Sequence, residues 1–129
     1  MEEFLPHAGP AQLAALVIDD STVECMLATA VLQKLGFSVT CAGSAEQALA
    51  RIASARFDMA VCDISLPDMD GLALVAAMRA GPQPPHCVVL SAHDDRLHEQ
   101  KALRAGARAY LVKPLGLEKM RAALGELFR

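Results

Sequence analysis

Five short apolar runs alternate along this chain with stretches of helical periodicity: Ala14 to Ile18, Ser38 to Ala42, Asp58 to Cys62, His86 to Leu90 and Ala109 to Val112. Runs that are apolar at consecutive positions suit strands covered on both faces, and strands separated by helix-length segments suit parallel crossovers. The expectation is one α/β domain, a five-stranded parallel sheet flanked by five helices. Ligands of such sheets gather outside the carboxyl ends of the strands, so the residues that close each run matter most.

The helical segments carry their own punctuation. Ser21 with Glu24, and Ser44 with Gln47, have the spacing of capping boxes. Val23, Met26, Leu27, Ala30 and Val31 fall on one face of the first helix, which Gly36 ends, and Ala45, Ala48, Leu49, Ile52 and Ala53 repeat at helical spacing in the second. Leu66 to Gly71 reads as a loop, with Asp68 and Asp70 as turn formers, and Leu72 to Arg79 as a short helix. Asp94 to Ala105 has helical composition but a broken apolar stripe, which marks the least firmly packed helix. Leu117, Met120, Leu124, Leu127 and Phe128 trace the last. The organisation expected is a flexible leader over 1–13 and one domain over 14–129.

With 129 residues, 53% of them apolar, and with no Trp, one Tyr and four Phe, the chain suits a single aliphatic core. A formal charge of −3 without a basic stripe argues against nucleic acid or an anionic membrane as a direct partner. No apolar stretch approaches a membrane span and the first residues are acidic, so a cytoplasmic location is the default. Cys25, Cys41, Cys62 and Cys87 lack short pairing spacings and read as reduced, packed thiols. His7, His86, His93 and His98 lack the helical spacing of a metal pair and read as surface residues.

Asp19 and Asp20 follow Leu16-Val17-Ile18, and Asp63 follows Met59-Ala60-Val61-Cys62. Like charges about 4 Å apart at an effective dielectric near 20 repel by roughly 4 kcal/mol, so three carboxylates converging on one sheet edge call for a hard divalent cation. Taken alone, Asp19 and Asp20 would more often be a solvated strand end or a helix cap than a site. Ser91 and Lys113 close two further strands, and each in isolation is an ordinary turn or surface residue.

Together, Asp19-Asp20, Asp63, Ser91-Ala92 and Lys113-Pro114, with Pro67 to Gly71 after the middle acid, resemble the receiver domain of bacterial response regulators, from about Ala14 onward. The resemblance implies a flavodoxin-like, doubly wound sheet of strand order 2-1-3-4-5. It implies that Asp63 accepts a phosphoryl group from a sensor histidine kinase, a phosphotransfer protein or a small phosphodonor. Asp19, Asp20, Asp63 and the Ser65 carbonyl would hold Mg²⁺, and Lys113 and Ser91 would bind phosphoryl oxygens. Ser91 and Tyr110 would form the switch, with Ala92 leaving room for the Tyr110 ring, and Ser65 and His93 would tune the lifetime of the aspartyl phosphate. The resemblance also implies kinase docking on the first helix near Cys25, Leu27 and Ala28 and on the loop after the fifth strand. Readout to an effector, or to a second copy in a homodimer, would use the Asp94 helix, the Tyr110 strand and the last helix.

Two other classes compete with this phosphorylation-controlled signalling reading, which expects self-phosphorylation and dephosphorylation but no turnover enzyme. An aspartate-nucleophile phosphatase of the haloacid dehalogenase kind would carry a second acid two residues after the nucleophile, where Ser65 stands. A degenerate receiver acting only as an interaction module would have lost an acid or the lysine, and neither is missing. No output segment is recognised after Arg129, so output is expected to pass through another molecule or through residues beyond this sequence.

Overall fold

Successive side chains of a strand point to opposite faces, and this alternation builds two cores on one sheet. The computed structural model describes residues 12–128. Its strands are β1 (Ala14–Ile18), β2 (Ser38–Ala42), β3 (Met59–Asp63), β4 (His86–Ser91) and β5 (Ala109–Val112). Its helices are α1 (Thr22–Lys34), α2 (Ala45–Ser54), α3 (Gly71–Arg79), α4 (Arg96–Ala105) and α5 (Leu117–Leu127). The strands are parallel, in the order β2-β1-β3-β4-β5. Leu16 and Ile18 of β1 face a core closed by Ala48 of α2, Leu74 and Met78 of α3 and Ala102 of α4. Ala15 and Val17 face the other, closed by Ala28 and Leu32 of α1 and Met120 and Leu124 of α5.

Most expected boundaries hold, and the differences concern caps. β3 begins at Met59, one residue after Asp58, whose carboxylate accepts the Ala14 amide at 2.8 Å, and it reaches Asp63 because that residue still pairs with Leu90. β4 extends to Ser91, which pairs with Val112. The last helix-starting carboxylates, Asp70 and Asp95, are N-caps that accept the Leu72 and His98 amides. Of the expected leader, 1–11 lie outside the described residues, while the Leu13 carbonyl already accepts the Ser38 amide at 2.9 Å.

One face assignment is corrected. In α1 the buried residues are Ala28 and Leu32, with Cys25 and Val31 partly buried, whereas Val23, Met26 and Leu27 are 65%, 66% and 56% exposed. The helix is apolar over most of its circumference, so apolar spacing does not select a face. The neighbouring sheet does, by accepting the small Ala28 close to its surface. α4 is as loosely packed as its sequence suggests: among its residues only Ala102 is buried, and Leu97 and Leu103 are exposed.

The cysteines divide. Cys62 and Cys87 are buried, in keeping with packed thiols, but Cys41 is exposed on β2, one of the sheet's two edge strands, and Cys25 is intermediate. All four are free thiols.

Candidate functional site

β1, β3, β4 and β5 end at the same edge of the sheet and deliver their closing residues to one place. Asp19, Asp20 and Asp63 each offer a carboxylate oxygen within 4.8 Å of the others. Asp19 and Asp63 are buried and Asp20 is exposed, so the cluster has a dry floor and one wet wall. That wall opens into a groove of about 550 Å³, bordered by Asp20, Cys25, Met26 and Gly43, through which an ion and its waters can enter.

Lys113, 17% exposed, reaches across from the end of β5. Its ammonium lies 3.3 Å from the Asp63 carboxylate and 3.5 Å from Asp19, and it also bonds Glu24 of α1. Burial works against its charge, but Glu24, Asp63 and Asp19 together outweigh burial and hold the lysine above its ordinary pKa. The Lys113–Pro114 peptide is cis.

Asp19 behaves in the opposite sense. Burial pushes its carboxyl up to about 6, the Ser21 amide at 2.9 Å pulls it back, and Glu24 and Asp63 add to the rise. One ammonium facing four carboxylates leaves the site short of positive charge, and the donors are all hard oxygens. A hard divalent ion such as Mg²⁺ fits this set, because it would favour the ionised form of Asp19 that burial alone disfavours.

Local geometry steadies Asp63. Its Oδ1 accepts the Ser65 amide at 3.1 Å, and the following loop is pinned by a Ser65–Asp70 bridge and by the Gly71 amide donating to the Ile64 carbonyl. A Cβ on Gly71 would stand 2.6 Å from the Asp63 carbonyl oxygen, so only glycine lets α3 start this close to the site. Asp68 is a remote turn former: its two carboxylate oxygens accept the Ala45 and Glu46 amides at the start of α2. This carboxylate is held below its usual pKa by those two amides.

Ser91 is buried beside the cluster, and its hydroxyl accepts the His93 amide at 3.0 Å. Tyr110 is half-buried and its hydroxyl donates to the His93 carbonyl. Both expected switch residues therefore bond the same backbone unit.

The structure thus brings together Asp19, Asp20, Asp63, Ser65, Ser91 and Lys113, with Tyr110 linked to Ser91 through the His93 backbone. Glu24 is the participant that sequence reasoning missed. Its spacing from Ser21 suggested a reciprocal cap, and half of that forms: Ser21 Oγ accepts the Glu24 amide at 3.3 Å. The Glu24 carboxylate goes to Lys113 instead, and the bond holds it below its usual pKa. Of the expected docking residues on α1, Ala28 is only 2% exposed and forms the floor of a narrow cleft beside Pro114, whereas Leu27 stands out.

Comparison with known proteins agrees with this geometry. The family model for the response regulator receiver domain matches residues 15–125. The probable chemotaxis protein CheY of Rhizobium etli is 32% identical over 91% of this chain and 93% of its own length. The transcriptional regulatory protein ZraR of Escherichia coli is 32% identical over 84% of this chain, which spans only 25% of that longer protein. The crystal structure of CheY4 from Vibrio cholerae superposes with a TM-score of 0.85 at 29% identity, over 92% of this chain and 100% of that one. Motif, sheet order and sequence similarity agree, and the chain belongs to the response regulator receiver family of two-component signalling.

Proposed function

We propose that the chain is a phosphorylation-driven switch in which Asp63 is the phosphoryl acceptor. The observation that carries this reading is the Lys113 ammonium 3.3 Å from the Asp63 carboxylate, beside two further acids able to share a cation. An Asp63 oxygen would attack the phosphorus of a phosphohistidine or of acetyl phosphate. The new P–O bond forms as the bond to the donor's nitrogen or oxygen breaks, and the leaving group departs with the electron pair. Such a transfer asks chiefly for in-line placement and charge neutralisation.

Asp19, Asp20, Asp63 and the Ser65 carbonyl would hold Mg²⁺, which when bound supplies positive charge for the entering phosphoryl oxygens. Lys113 would trade its carboxylate contacts for a phosphoryl oxygen, and Ser91 would leave the His93 amide to donate to another. Tyr110 would follow as its anchor at His93 moves. The cycle of self-phosphorylation and hydrolysis serves as a signal without turning over a separate substrate.

The donor would be a sensor kinase or phosphotransfer protein, seated on the exposed Val23, Met26 and Leu27 of α1 and the loop after β5. Effector binding or self-association would read the surface of α4, β5 and α5, where Leu97 and Leu103 stand exposed. A cytoplasmic setting suits such partners, and among the described residues no helix is long and apolar enough to cross a membrane.

Intact mass spectrometry after incubation with acetyl phosphate and Mg²⁺ tests this reading. One labile phosphoryl adduct is expected, absent in Asp63→Asn and in the presence of EDTA. A folded protein that binds Mg²⁺ and gains no adduct from acetyl phosphate or from a phosphorylated histidine donor would overturn it in favour of an interaction module.

A further inference from the structure

Outside the acidic cluster, the described residues bring together one other set of metal donors. His93, Asp95 and His98 each offer a ligand atom within 4.8 Å of the other two. Along the chain the two histidines are five positions apart, but the turn from β4 into α4 folds them together. Their rings stack 4.3 Å apart between centroids and 8° from parallel. Asp95 caps α4 by accepting the His98 amide at 2.9 Å, and its two oxygens lie 2.7 and 2.8 Å from His98 Nδ1.

Two imidazoles and a carboxylate are a donor set for a borderline-soft divalent ion, zinc above all, with water completing the tetrahedron. Ligands on tetrahedral Zn²⁺ sit about 3.3 Å from one another, given bonds of about 2.0 Å. The Asp95–His98 pair is slightly closer than that, and all three ligand atoms lie within 4.8 Å of one another. Because an ion lies in the plane of each imidazole that binds it, the His93 ring must turn out of its stack on His98, a rotation its exposed position leaves open. The ion would take the place of the hydrogen between Asp95 and His98 Nδ1, and the neutral His98 ring would then carry its one N–H on Nε2, exchanged through solvent.

The backbone of His93 gives such a site its consequence. Its amide donates to Ser91 Oγ and its carbonyl accepts the Tyr110 hydroxyl, so fixing His93 fixes both. We propose that His93, Asp95 and His98 bind a zinc-type transition-metal ion whose presence clamps the β4–α4 loop in the arrangement described above, opposing phosphorylation. The opposition rests on the phosphoryl-acceptor reading; the metal site does not.

Calorimetric titration of the full chain with Zn²⁺ in saturating Mg²⁺, which keeps the acidic cluster filled, tests the site. One Zn²⁺ is expected per chain. Its affinity should fall tenfold or more in His93→Ala and in His98→Ala. It should persist in Cys41→Ser, which removes the exposed thiol. Absence of Mg²⁺-resistant binding, or binding indifferent to both histidines, overturns the site.

The clamp is tested by repeating the titration with beryllofluoride, a phosphoryl mimic, and by labelling with acetyl phosphate. Zn²⁺ affinity should drop by about fivefold or more with the mimic and, since coupling between binding equilibria is reciprocal, the mimic should bind more weakly by the same factor with Zn²⁺. Zn²⁺ should also slow labelling of Asp63, because the clamp keeps Ser91 on the His93 amide. Unchanged Zn²⁺ affinity in a protein that demonstrably takes the phosphoryl group overturns the clamp. A protein that takes no phosphoryl group fails the earlier reading instead, and the zinc titration with its histidine variants still decides the site.

Discussion

Lys113 contacts carboxylates from three segments: Asp19 after β1, Glu24 on α1 and Asp63 on β3. A cation shared in this way neutralises only part of the charge, and at Asp19 burial above all, with Glu24 and Asp63 adding to it, disfavours the ionised carboxylate. Its folded pKa of about 6 lies above the ordinary 3.8, so the folded state takes up a proton more readily than the unfolded chain. The resulting stability is fully present below the unfolded pKa and is lost as pH rises through about 6. In Mg²⁺-free buffer, the stability of the parent relative to Asp19→Asn should therefore increase as pH falls from neutral to about 5, read by chemical denaturation. A difference independent of pH would mean that Asp19 remains ionised. Saturating Mg²⁺ should flatten the same curve, because the ion selects the carboxylate. Glu24 titrates in the opposite sense, since its bond to Lys113 lowers its pKa, so its contribution is lost only at lower pH than this window.

Among the elements, α3 and α4 meet the site in different ways. α3 is held hard against it, because Gly71 admits the Asp63 and Ile64 backbone where a Cβ would stand 2.6 to 2.7 Å from three of their atoms. Gly71→Ala should cost about 1–3 kcal/mol through this overpacking and lower Tm by several degrees. Because the displaced atoms belong to the acceptor's own segment, Mg²⁺ affinity should fall as well. A variant with unaltered Tm and Mg²⁺ affinity would show that the loop relaxes freely. α4 buries only Ala102 and ends at Gly106, whose φ of 115° suits the left-handed region that glycine favours. A helix so lightly attached can shift at small cost, which suits a readout element. The weakness of α4 was visible in its interrupted stripe. The buried face of α1 was not, because a helix apolar on most sides carries no periodic signal for tertiary packing to follow.

For the whole molecule, five parallel strands place four functional strand ends on one edge while both faces of the sheet are consumed by core. A cation held only by the folded chain stabilises it by mass action, by about 2.7 kcal/mol at a hundredfold excess over Kd. Mg²⁺ should accordingly raise Tm by several degrees, and Asp20→Asn should remove most of that rise. An unaltered protein whose Tm ignores Mg²⁺ would contradict the proposed ion site. The sequence by itself determined the layer architecture and the strand ends that carry Asp19, Asp20, Asp63, Ser91 and Lys113, because apolar runs and the polar residues that close them are local signals, whereas Ser65 came only with the family resemblance. Tertiary structure alone decided which way α1 faces, that Glu24 leaves its cap for Lys113 89 positions away, that Asp68 caps α2 from a distant loop, and that His93 stacks on His98. Each of these depends on side chains meeting across elements or around a turn, and neither spacing nor composition encodes where a folded chain makes such meetings.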